Sequence, residues 1–213
     1  MPDPLTCLYN ELRRRRALRR LGEGPMRAYL SAPLAGCGWP VRECAYLSLD
    51  LETTGLDPRR DHILSAGYVV VNQGRIRMTT ARHHLIRSDR PIPADTAVIH
   101  QITDDMSANG EPLAEVLPQI LEQLKGRVLL AHHARIEQGF LDQACRRLYG
   151  VPFIASVSDT LVRARRSLER RHASYKSGDL RLHALRERYG LPRYRAHNAL
   201  SDAVATAELF LAL

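Results

Sequence analysis

The sequence predicts an α/β domain built on a mixed β-sheet flanked by α-helices. Three observations point there. Three strand-like stretches follow one another from residue 45, and a Gly-containing turn links the second to the third, so the sheet opens antiparallel. Beyond residue 112, helical periods alternate with short apolar runs, which adds parallel strands and covering helices. A chain of 213 residues with 45% apolar content can bury one good core.

Taken in order, residues 1–42 differ from the rest. Arg13 to Arg16, Arg19 and Arg20 form an Arg-dense stretch, and Gly36, Gly38 and Pro40 punctuate the segment after it. Leu5, Leu8, Tyr9, Leu12 and Arg16 keep a helical period, so a short amphipathic helix is expected before the Pro/Gly region breaks it. This segment is read as an Arg-rich N-terminal extension, either a nucleic-acid or partner-binding arm or a solvated helix lying on the domain. Residues 43–213 form the domain proper. Strands are expected over 45–52, 62–71 and 75–86, with Asn72, Gln73 and Gly74 as the turn. A helix follows from Pro112 towards Lys125, where Pro118 should kink it or start a second one. Residues 127–133 read as a buried strand, and the helix after it carries Ile136, Phe140, Leu141, Ala144 and Leu148. A short strand over 153–156, a helix from Asp159, another from Leu180 to Tyr189 and a last one from about Ala199 complete the domain.

The formal charge of +8 favours a polyanionic partner, with nucleic acid leading. Among the basic residues only Lys125 and Lys176 are lysines, so genomic base composition can account for part of the arginine excess. No apolar run is long enough to span a bilayer and no secretory signal follows the N-terminal charges, which places the protein in the cytoplasm, off the membrane. Cys7, Cys37, Cys44 and Cys145 form no C-x-x-C pair, so zinc and a disulfide framework are not expected and the thiols are read as reduced.

The chemistry starts at residues 48–56, SLDLETTGL. Asp50 and Glu52, two apart on a strand, point to one face, while Leu49 and Leu51 pack beneath. Two carboxylates aimed at one point repel unless a cation lies between them, and hard divalent ions such as Mg²⁺ or Mn²⁺ suit oxygen donors. A surface strand with solvated acids is the alternative. Near the other end, HNALSDA (197–203) opens the last helix with Asn198 as N-cap. On a continuous helix His197 and Asp202 would stand about 140° apart. They converge only if His197 lies in the preceding loop, where it could also be an ordinary surface histidine.

With the middle segment AHHARIEQGFL (131–141), IHQITDDM (99–106) and SDTLVRAR (158–165), these stretches resemble the ordered motifs of the DnaQ-like DEDDh exonuclease superfamily. That group includes the epsilon proofreading subunit of bacterial DNA polymerase III. The resemblance covers residues 45–213 and implies a ribonuclease H-like fold and metal-dependent 3′-to-5′ hydrolysis releasing nucleoside 5′-monophosphates. Carried over position by position, Asp50, Glu52 and Asp202 would hold two divalent cations, Mg²⁺ or Mn²⁺, and His197 would take the proton from the attacking water. Imidazole suits that task because it ordinarily titrates near ~6.5. Thr53, Gly55, Leu56 and His100 fall where family members hold the terminal nucleotide.

The middle motif departs from the family's His-Asn-Ala-x-Phe-Asp. Glu137 replaces the Asp and would serve as the fourth metal carboxylate, one methylene longer. Ile136 replaces an aromatic ring and His133 an amide, which bears on nucleotide grip. Leu141 and Ala144 share Glu137's helix face and argue that it points inward; the alternative is a surface acid and an impaired site. The substrate class is single-stranded or frayed nucleic acid, DNA favoured over RNA, with a polymerase or other protein docking through the N-terminal extension. The competing function is a catalytically weak nucleic-acid-binding protein retaining the fold.

Overall fold

The structure is a computed structural model that describes residues 4–36, 43–194 and 197–213; Cys37, Gly38 and Pro40 fall outside it. Strands β1 (Tyr46–Thr53), β2 (Ile63–Asn72), β3 (Arg75–Leu85), β4 (Val128–Ala131) and β5 (Val157–Asp159) form one sheet in the order β3-β2-β1-β4-β5. β1 pairs antiparallel with β2 and parallel with β4; β2 and β3 are antiparallel, and β4 and β5 parallel. The sheet is therefore mixed, and β2 and β4, on either side of β1, are buried almost throughout because helices cover both faces.

The alternation of β1 sorts its residues. Leu47, Leu49 and Leu51 pack with Ala66, Tyr68 and Val70 against α5 (Leu113–Leu124) and α6 (Arg135–Tyr149). Tyr46 joins Val69, Val71, Val128 and Leu130 beneath Ala207 and Phe210 of α9 (Ala199–Ala212) on the other face. A third cluster joins Ala164 and Leu168 of α7 (Thr160–Arg170) to Leu185 of α8 (Leu182–Arg188) and Leu209 of α9.

Several expectations change. The strand placed at 153–156 forms instead at Val157–Asp159; Phe153, Ile154 and Ala155 are apolar because they fill the core on the way to it. Pro118 neither ends nor restarts α5, where Val116, Leu117, Ile120, Leu121 and Leu124 are fully buried and outweigh the missing N–H. Two short helices between β3 and α5 add to the expected elements, α3 (Ala94–His100) and α4 (Asp104–Ala108), the latter capped by the Thr103 hydroxyl. Cys7 is disulfide-bonded, against the expectation of reduced thiols, since a single bridge leaves no local spacing to read; Cys44 and Cys145 are buried thiols.

The N-terminal segment forms α1 (Pro4–Leu18) and α2 (Pro25–Ser31). Met26, Tyr29 and Leu30 of α2 enter the same core as the sheet, and the Tyr29 hydroxyl donates to the Ile154 carbonyl at 2.8 Å. No helix among the described residues is long and apolar enough to cross a membrane.

Candidate metal and catalytic site

β1 delivers two carboxylates towards α9. The Ser48 hydroxyl, on the same side as Asp50 and Glu52, donates to the Ala203 carbonyl at 2.7 Å and so ties the strand to the helix beside Asp202. The β1–β2 register slips between Glu52 and Thr53, a bulge that ends regular pairing where the site begins. Opposite Asp50 on β2 stands Gly67, and a Cβ there would overlap the backbone of Ala199 and Leu200. The missing side chain lets the first turn of α9 lie directly on the sheet.

Asp50, Glu52 and Asp202 each offer an oxygen within 4.8 Å of the other two. Glu137 reaches the same neighbourhood from the first turn of α6; it is 3% exposed, and its Oε2 is buried without a hydrogen-bond partner. Burial, then the charges of Glu137, Glu52 and Asp202, raises Asp50 well above the carboxylate range. Burial and Asp202 push Glu52 up to about 7. Glu137 rises to about 8, through burial first and then Asp159 and Glu52. Burial also raises Asp202, against the lowering effect of backbone hydrogen bonds from His197 and Asn198. Four acids that resist ionising together, one with an orphaned oxygen, fit hard divalent cations and no soft metal.

His197 lies in the left-handed region at φ 64° ahead of α9, and its N–H donates to Asp202 Oδ2 at 2.8 Å. Asn198 caps the helix by accepting from the Ser201 N–H at 3.0 Å. The exposed histidine is thereby held beside Asp202 despite the five-residue spacing. Arg186 supports the loop leading to it. Its buried guanidinium donates to the carbonyls of Ala205 and Pro192 and to Glu208, each at 2.7 Å, and lies 4.6 Å from the Tyr194 ring centroid.

In the middle motif, His132 accepts from the Thr160 hydroxyl at 2.9 Å through Nδ1 and donates to the Leu180 carbonyl at 3.0 Å through Nε2, the neutral tautomer. Burial pulls it down to about 4. His133 is left-handed at φ 66°. Its N–H and that of Ala134 donate to the Asp159 carboxylate at 3.1 and 3.0 Å, and the same carboxylate accepts from Leu161 at the start of α7. Asp159 thus shapes the turn that aims Glu137.

A cleft of about 650 Å³ runs from Asp50 and Asp202 past His133 and His197 to Arg181, His183 and Arg193. A smaller one of about 230 Å³ is lined by Glu52, Ser65, His100 and His197, so His197 borders both. The buried His100 accepts the Ile102 N–H at 3.1 Å through Nδ1, which leaves an unpartnered proton on Nε2. Thr53, Gly55, Leu56 and Ile136 line neither cavity. The Thr53 hydroxyl donates to the Gly55 carbonyl, Leu56 is 77% exposed, and Ile136 packs partly against the main core. Sequence reasoning passed over Gly67, Asp159 and Arg186 as site residues. A glycine inside an apolar strand and an Asp ahead of a helical period are readable signals; the buried Arg186 carried none.

Residues 47–210 match a family profile described as Exonuclease. The chain belongs to this exonuclease family. A PolC-type DNA polymerase III of Thermotoga petrophila is 35% identical over 166 residues, which cover 78% of this chain and 12% of that protein. The DNA polymerase III subunit epsilon of Treponema pallidum is 34% identical over 170 residues, 78% of this chain and 74% of the relative. Among solved structures, E. coli exonuclease I in a zinc-bound complex with single-stranded DNA aligns with a TM-score of 0.69 at 19% identity. That alignment covers 79% of this chain and 40% of the other. The likeness is one of fold, and the five-stranded mixed sheet flanked by helices is the ribonuclease H-like arrangement expected. The exonuclease domain here is thus about an eighth the length of the PolC-type relative and under half that of exonuclease I.

Proposed function

We propose that this exonuclease-family chain hydrolyses single-stranded or frayed nucleic acid, DNA in preference to RNA, from the 3′ end in the cytoplasm. It would release nucleoside 5′-monophosphates with Mg²⁺ or Mn²⁺ as cofactor. The observation that carries this reading is the convergence of Asp50, Glu52 and Asp202 within 4.8 Å, beside the buried, unpartnered Glu137 oxygen. These four side chains would hold two cations, which when bound supply charge stabilisation to the attacking and leaving oxygens of an in-line displacement. His197, exposed at the cleft rim and fixed by its N–H on Asp202, would accept the proton of the attacking water. Water attacks phosphorus, the bond to the 3′-oxygen of the preceding nucleotide breaks, and that oxygen is protonated as the chain end recedes by one nucleotide. His100, with its free Nε2–H, and the surface of Leu56 would hold the terminal nucleotide, and His133 would face the substrate from the larger cleft. Thr53, Gly55 and Ile136 would act through the shape of the turn and of the helix start.

The deciding experiment uses purified protein with labelled single-stranded DNA and RNA oligomers, each with Mg²⁺, Mn²⁺ and chelator. Mononucleotide release that chelator abolishes is the expected result; binding without cleavage would favour the nucleic-acid-binding reading instead. His197→Ala should lower turnover by about 10²–10⁴-fold and leave the cation-induced rise in melting temperature intact. Unchanged turnover would remove it as the base. A polymerase or other protein partner, docking through the N-terminal segment, is the remaining part of this reading.

A further inference from the structure

α1 carries its apolar face outward. Leu5, Leu8, Tyr9 and Leu12, at positions i, i+3, i+4 and i+7, share one side of the helix and are 78, 58, 62 and 58% exposed. The inward side holds a charge in their place: the Arg14 side chain, 15% exposed, donates to the Leu30 carbonyl at 2.6 Å and to Glu11 at 2.8 Å, near the buried Ala17. Helical spacing continues the outward face into Arg16 and Arg19, while the Arg13 guanidinium lies 5.5 Å from the Tyr9 ring centroid. Glu11 is the one acid in the helix, and both Arg14 and Arg15 already bind it. The outer face is therefore an apolar stripe with an uncompensated cationic end. Such stripes on a protein surface mark interaction sites.

Its position separates it from the cleft. α1 rests on α2, and α2 packs on α5, on the sheet face opposite α9 and the carboxylates.

We propose that this face of α1 docks an acidic amphipathic helix of a partner protein, its leucine-type side chains on the stripe and its Asp or Glu residues against Arg13, Arg16 and Arg19. Charge complementarity selects that occupant. Nucleic acid would satisfy the arginines and leave four large apolar side chains in water. A second copy of the chain would set arginine against arginine with no spare acid on α1, a repulsive pairing. The stripe spans on the order of 500 Å², smaller than the ~800 Å² each partner gives to a standard interface, and matches one helix laid along another. The inference deepens the partner part of the proposed function and is independent of the nuclease chemistry.

The test uses the full chain and two labelled 18-residue helical peptides with leucines at i, i+3, i+4 and i+7, one flanked by glutamates and one by lysines. Fluorescence anisotropy should show the glutamate peptide binding at least about tenfold more tightly, with affinity falling as salt rises. The double change Leu8→Ser and Leu12→Ser, at exposed positions, should weaken it about tenfold. Arg16→Glu with Arg19→Glu should reverse the preference towards the lysine peptide. Melting temperatures and cleavage of a dinucleotide, measured on the same samples, should stay at wild-type levels, so a failed nuclease reading leaves this result legible. Absent or equal binding of the two peptides overturns the proposal. So does a concentration-dependent dimer that the serine variant dissolves, or arginine variants that lose oligonucleotide affinity while keeping the peptide.

Discussion

Glu137 and Glu52 hold their protons far above the ordinary carboxylate value of 4.5, at about 8 and about 7. The folded state therefore binds more protons than the unfolded chain between that value and theirs. Their contribution to stability is complete below about pH 4.5 and is lost as pH rises through 7 to 8. In chelator the melting temperature should fall as pH rises from 5 to 9. Added Mg²⁺ or Mn²⁺ should remove most of that decline, because a cation replaces the proton as the neutralising charge. Calorimetry across pH, with and without metal, checks both; a flat profile in chelator would show that the acids are not mutually strained. Glu137→Gln carries the same logic into one side chain. It should raise the melting temperature in chelator at pH 8, weaken the response to metal and cut turnover. Wild-type turnover in that variant would remove Glu137 from the site.

At the scale of elements, the site is an agreement between β1, β2, α6 and α9, and Gly67 shows how narrow that agreement is. Gly67→Ala would drive a methyl group into the backbone at Ala199 and Leu200 and lift the start of α9, which carries Asp202 and sets His197. A displacement of about 1 Å can cost on the order of 10²-fold in rate, and overpacking of this kind costs about 1–3 kcal/mol. Gly74→Ala is the informative contrast. That glycine, in the β2–β3 turn at φ 66°, faces open space, so alanine there strains the backbone and lowers stability by about 1 kcal/mol. Oligonucleotide turnover should survive Gly74→Ala and collapse with Gly67→Ala when both are assayed below their melting transitions.

For the whole molecule, the N-terminal 36 residues serve two ends. α2 closes the core, since Leu30 is 1% exposed and Tyr29 bonds to the connection ahead of β5. Leu30→Ala should cost about 2–5 kcal/mol, and the loss should appear in the single transition that melts the sheet. If the main transition stayed in place while an earlier one appeared, α2 would be a separate unit. The net charge of +8 overstates the cationic surface, because Arg14 and Arg186 are spent on backbone carbonyls inside the fold and the half-buried Arg27 on those of Leu18 and Leu21. Near the cleft that surface comes from Arg181 and from Arg193, which is paired with Glu187 at 2.6 Å.

Local pattern was enough for much of the fold and site. Period-two alternation in 45–52 set Asp50 and Glu52 on one face; the Gly74 turn gave the hairpin; Asn198 marked the start of α9, and the inward face shared with Leu141 and Ala144 pointed Glu137 into the interior. These are properties of residues within one turn or one strand of each other. Relations between distant segments were decided by tertiary packing. Phe153 to Ala155 looked like a strand because burial and strand pairing give the same apolar run, and only the partner β4 distinguishes them. The leucines of α1 marked an amphipathic helix and left open whether it would be a binding arm or lie solvated on the domain; Arg14 took the inward position because it found the Leu30 carbonyl and Glu11 there. Residue order alone picked out Asp50, Glu52, Glu137 and Asp202 as candidates and roughly which elements bear them. The 4.8 Å convergence of Asp50 and Glu52 from β1 with Asp202 from α9 arose only when Gly67 admitted α9 to the sheet, since close approach of separate backbones is written in no local period.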